Sequence, residues 1–245
     1  APAAVRSIGQ SCPSSKVANA LCMSSPSGVV TADCGGAQCL WVVDSGCHRI
    51  LRFRGTSTSA ELVLGHPDVT TRAANNGAVP TAASLNAPKA ISTDGQRLAV
   101  ADTSNNRVLL WNQLPNTANQ PADVILGQPT AALNLVNAPP RIDGLSLQGA
   151  SAIATDMTHL VIADPGFHRV LIWNQIPEDG KTPPDVVLGQ AELTQGAVNG
   201  GSTTATQTSF NTPVSVSLDG NHLAVADQGN HRVLIWNQLP TQNNA

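Results

Sequence analysis

The chain repeats itself four times, and the repeat limits what it can fold into more than any other feature. Decapeptides at 44–53, 102–111, 164–173 and 227–236 read DSGCHRILRF, DTSNNRVLLW, DPGFHRVLIW and DQGNHRVLIW. Two further series run in step with them. One is an aspartate at Asp33, Asp94, Asp156 and Asp219; the other is a glycine followed by Gln or His, at Gly9, Gly65, Gly127 and Gly189. All three series share a period of about 60 residues.

Each period holds four short apolar runs. In the third they cover residues 151–155, 159–163, 169–173 and 185–189, rich in Val and Ile and bounded by Asp, Gly and Pro, which is the signature of strands. Asp94-Gly95 and Asp219-Gly220 suit a hairpin between the first two runs. The run at 170–173 is apolar on both faces, so its sheet needs a neighbour on either side. No segment carries the period of an amphipathic helix. The expected fold is all-β: a four-bladed β-propeller with four antiparallel strands per blade, in a single domain over 1–245. Its repeats run roughly 11–66, 67–128, 129–190, and 191–245 together with 1–10. The last repeat lacks its glycine-marked strand, and residues 5–10 supply one of that type. The ring is therefore expected to close by the N-terminal strand completing the last blade, a fragment of a larger ring being the alternative.

The stretch from Gly229 to Ile235, with Val225, Ala226 and Asp227 before it, resembles the signature of NHL-repeat β-propellers. Residues 164–172 and 102–110 are close variants, and 44–51 is looser, with Cys47 where the pattern favours Asn. The resemblance recurs in every repeat and implies a propeller. It implies no particular chemistry, because such rings serve as scaffolds, receptors, lectins and enzymes. The links between repeats here are longer than the family usually has.

Composition narrows the partners. Thirteen Lys and Arg stand against 16 Asp and Glu, a net charge of −3 without the dense basic patch of a nucleic-acid binder. No apolar run reaches the roughly 20 residues of a membrane-spanning helix. All five cysteines lie between Cys12 and Cys47, a cluster that fits an oxidising compartment: secreted, periplasmic or cell surface. The first repeat has eleven steps from Asp33 to Asp44 where the others have eight, and Cys34 and Cys39 bracket the excess, so a Cys34–Cys39 disulfide would brace it. Cys12–Cys22 is the simple second pair, Cys47 could join either of them, and one cysteine of the five stays odd.

Candidate site residues follow from the repeat. The Asp and Arg five apart in each repeat read as structural, since a buried carboxylate beside a guanidinium can satisfy turn amides and pair its charge. Trp111, Trp173 and Trp236, with Phe53 in the first repeat, read as packing between blades, which leaves Trp41 as the less explained tryptophan and a candidate ligand contact. His48, His168 and His231 share one repeat position with Asn106. These four are candidate ligand contacts, and the three imidazoles, if they converge on the axis, could hold one metal ion in the central channel, the only cofactor the residues suggest. No catalytic signature is present.

The links at 67–86, 129–148 and 191–211 are polar and nearly uncharged, and would crowd one face of the disc. Such a face suits a protein or a neutral or glycan ligand. The leading functional expectation is an extracellular binding or scaffold module acting through that face. The alternatives are a glycan-binding lectin and a metal-dependent hydrolase or lyase sited at the channel.

Overall fold

A computed structural model describes residues 7–9, 22–132 and 142–245. Its strands form four antiparallel sheets. Sheet one runs β1 (Pro26–Asp33), β2 (Gln38–Asp44), β3 (Arg49–Arg54) and β4 (Leu62–Leu64); sheet two runs β5 (Ala90–Thr93), β6 (Leu98–Asp102), β7 (Arg107–Trp111) and β8 (Val124–Leu126). Sheet three runs β9 (Ala152–Thr155), β10 (Leu160–Asp164), β11 (Arg169–Trp173) and β12 (Val186–Leu188). Sheet four has β13 (Pro213–Asp219), β14 (His222–Asp227) and β15 (Arg232–Trp236). Each sheet is a meander with its first strand innermost, and β1, β5, β9 and β13 stand in sequence against one another. The molecule is a four-bladed β-propeller. The strand expected to complete the fourth blade, residues 5–10, falls largely outside the described residues.

Alternation along the third strand builds the junctions. In β11, Leu171 and Trp173 face the second sheet, packing with Ala99, Val108, Leu110 and Val124, while Val170 and Ile172 face the fourth, against Phe210, Val216, Leu223 and Val225. The first junction has the same build, with Trp41, Val43, Ile50 and Leu64 meeting Ile91, Val100, Leu109 and Trp111. A fully buried aliphatic side chain contributes about 1.5–3 kcal/mol, so these seams hold the disc together.

The hairpins follow their residues. Gly220 and Asn221 make a two-residue turn in the fourth sheet. In the second sheet four residues intervene, and Asp94 Oδ1 accepts the Gln96 and Arg97 amides. The turn of the first hairpin, 34–37, is also four residues long, and its extra residues lengthen β1 and β2 instead. Cys34 and Cys39 stand at this hairpin as free thiols rather than a disulfide, with their side chains in contact; burial, then the Cys34 thiol, pushes Cys39 up to about 12. Cys22 is disulfide-bonded, Cys47 is a buried thiol, and Cys12 lies outside the described residues.

Candidate functional site

The repeated Asp–Arg pair is a blade's internal clamp. Asp44, Asp102, Asp164 and Asp227 end the second strands, each with no exposed side-chain surface. In each, Oδ2 accepts from the Nε of Arg49, Arg107, Arg169 or Arg232 at 2.8, 2.7, 2.9 and 2.9 Å. Oδ1 accepts the backbone amide of Ser24, Asn86, Gln148 or Asn211, the last stretch of the link into the same blade. The guanidinium then donates to link carbonyls, as Arg107 does to Ala131, Thr81 and Ser84. Burial pushes the Asp102 carboxyl up, and Asp164 to about 6, against the pull of the arginine and the donated amide. Both oxygens of each carboxylate are thus engaged within the blade.

The four residues His48, Asn106, His168 and His231 all sit in left-handed backbone just after a short 3-10 turn, with φ of 55, 53, 51 and 55°. The side chains of the first three reach to the next blade. His48 Nδ1 accepts the Ala87 amide at 2.8 Å, Asn106 Oδ1 accepts that of Gly149 at 2.9 Å, and His168 Nδ1 accepts that of Thr212 at 3.0 Å. Each is a latch between neighbouring blades. The exchange of His for Asn is explained, since both offer one acceptor at similar reach. Because Nδ1 accepts, the proton of a neutral ring sits on Nε2, and burial holds both His48 and His168 below the usual imidazole range. The imidazoles are not brought together on the axis. Among the described residues no three of His, Cys, Asp and Glu are grouped to hold a metal ion.

Trp41 is wholly buried in the first junction, where the Arg52 guanidinium lies 5.3 Å from its ring centre. Its ring presents no face to solvent, so the ligand contact expected there is not available in this structure. Trp111, Trp173 and Trp236 each donate their indole N–H to a carbonyl of the following loop, from Gln120, Thr182 and Ala245.

What the links do form is a cavity of about 690 Å³ beside β8. Its apolar wall is Val124, Ile125 and Leu145, and its polar rim carries Asp123, Asp143, Glu178, Asp179 and Lys181. Gly180 makes the fit: a Cβ there would lie 2.3 Å from the Ile125 carbonyl oxygen, so only glycine lets the loop from the third blade close against β8. Sequence reading passed over this site, although residues 178–181 (EDGK) are a dense charge cluster in a lightly charged chain. Charged residues of the first link lie elsewhere. Asp68, for one, is held down to about 2 by the Thr70 hydroxyl and the Thr70 and Thr71 amides, which makes it a turn cap.

Residues 210–236, from the end of the last link to the end of β15, match the NHL repeat. That stretch contains the clamp, the latch and the third strand that recur in every blade. The chain fits the NHL-repeat propellers. Propellers of this type are in general protein-interaction scaffolds. No curated protein matches the chain. Among solved structures it is similar to a humanized mutant of the Chaetomium thermophilum Polycomb Repressive Complex 2, at 12% identity and a TM-score of 0.52, covering 87% of this chain and 38% of that one. It is also similar to the computationally designed Ika4 protein, at 10% identity and a TM-score of 0.43, covering 87% of this chain and 91% of that one. The chain thus spans under two fifths of the Polycomb chain it matches, and the likeness is one of fold. No helix among the described residues is long and apolar enough to cross a membrane.

Proposed function

We propose that this NHL-type propeller is an extracellular protein-binding module whose contact is the groove between β8 and the loop at 174–185. One observation carries the reading: the groove is the place where link residues leave apolar surface open inside a ring of charge. Leu145 is 39% exposed over Val124 and Ile125, and four carboxylates face one lysine. An apolar floor with an acidic rim favours a short protein segment with an aliphatic anchor and basic flanks over a neutral glycan. The clustered cysteines, one already disulfide-bonded, support the extracellular part.

The test is selection of a displayed-peptide library on the immobilised chain, followed by titration of the enriched peptides. Segments pairing an aliphatic residue with Lys or Arg should emerge, and Leu145→Glu and Asp179→Lys should each weaken them about tenfold or more. Enriched peptides that bind both variants unchanged would place the contact elsewhere.

A further inference from the structure

The three inter-blade latches among the described residues share a geometry and differ in chemistry. At the first junction His48 Nδ1 accepts the Ala87 amide at 2.8 Å, and at the second Asn106 Oδ1 accepts the Gly149 amide at 2.9 Å. At the third His168 Nδ1 accepts the Thr212 amide at 3.0 Å. A backbone N–H can only donate, so Nδ1 of both rings carries no proton in the closed latch. A protonated imidazole has an N–H on each nitrogen and accepts nothing. Protonation of His48 or His168 therefore sets one N–H against another across its junction and leaves the amide without that partner. The Asn106 carboxamide has no such state, and its oxygen accepts throughout the range in which histidine titrates.

The surroundings of both rings keep the latches closed at neutral pH. Each ring is half-buried, and burial, the largest effect on it, disfavours the charged form. The titratable and charged groups that face His48 are Asp44 at the end of β2, His66 just beyond β4 and Arg72 in the first link. His66 and Arg72 oppose a charge on the ring, and Asp44 favours one. The charged group facing His168 among the described residues is Asp227, at the end of β14, and it favours the charge. Both carboxylates are already bound to an arginine of their own blade, Asp44 to Arg49 and Asp227 to Arg232, so neither is a reserved partner for an imidazolium. Both rings thus titrate below the ordinary histidine value near pH 6.5.

We propose that mild acid opens the first and third latches and leaves the second closed. Sheets two and three then stay latched as a pair, while sheets one and four lose their latches to it. The apolar seams do not titrate, so the blades remain docked and the change is one of local opening rather than of unfolding. The groove lies across the second junction, between β8 and the loop at 174–185, so its walls stay latched in acid. This rests on the latch geometry and not on the groove reading above.

Nitrogen-15 NMR of the whole chain between pH 7.5 and 5 tests it. At pH 7.5 a coupling through the hydrogen bond should join the Ala87 amide nitrogen to His48 Nδ1, and the Thr212 amide nitrogen to His168 Nδ1. Both couplings should vanish in acid. The two amide protons should move upfield as they do so, with midpoints below about 6.5. The Gly149 amide should keep its position and the spectrum its folded dispersion. His48→Asn should abolish the movement at Ala87 and leave that at Thr212, and Asn106→His should confer one on Gly149. Movement of all three wild-type amides together overturns the proposal, as does an Ala87 or Thr212 amide that stays fixed down to pH 5. So does a chain that unfolds before either latch titrates, or an Ala87 amide that still follows the pH in His48→Asn.

Discussion

The histidines show how far a residue's chemistry depends on where its backbone points it. Placed in left-handed backbone at the mouth of a third strand, His48 and His168 cannot reach the axis and instead accept one amide each from the next blade. The geometry sets a pH dependence. Burial, the largest effect on both rings, depresses their pKa, so the unfolded chain binds these protons more readily than the folded one. Their contribution to stability is therefore present above the ordinary histidine range near pH 6.5 and is lost as the pH falls through the depressed folded values. Urea unfolding between pH 7.5 and 5 should show that loss. The double variant His48→Asn with His168→Asn should flatten it, because Asn106 makes the same latch without titrating. A slope equally steep in the double variant would place the pH response elsewhere, and His48→Asn alone should change stability at pH 7.5 by no more than about 0.5 kcal/mol.

At the scale of elements, the fourth strand of each blade ends where glycine has no substitute. Gly189 has φ 89°, and a Cβ there would fall 2.3 Å from the Phe210 ring and 2.8 Å from the His168 carbonyl. The Gly189→Ala variant should lose about 2–4 kcal/mol, from left-handed strain together with overpacking, read as a lower urea midpoint at unchanged slope. Gly220→Ala, in an open turn with nothing near its Cβ, should lose no more than about 1–2 kcal/mol from strain alone. Glycines at these ends were visible in the sequence because every blade needs one. So were the strands: residues 169–173 were expected as a strand and form β11. What repeats was legible, since the same backbone constraint marks the same position four times. The acidic groove was not: the loop contact itself recurs, with Asn119 and Asn244 donating their amides to the Val63 and Val187 carbonyls, but the charges from Glu178 to Lys181 that line it on β8 belong to the third blade alone. The burial of Trp41 was hidden for a similar reason. Its strand position was readable, but the face it takes depends on the register of the longest hairpin.

At the scale of the molecule, stability should not be uniform around the disc. Sheets two and three are covered on both faces, and β6, β7, β10 and β11 are buried along their whole length. Sheet four is covered on one face, and β15 alternates between half-buried and exposed residues, with no fourth strand beside it among the described residues. A strand opens locally at a cost set by the contacts it must break, so amide exchange ranks strands by how much neighbouring structure encloses them. The amides of β6 and β10 should exchange slowest, near the rate set by global unfolding. Those of β14 and β15 should exchange fastest among the strands. Uniform protection of all four sheets would mean that the fourth sheet is enclosed as fully as the second and third.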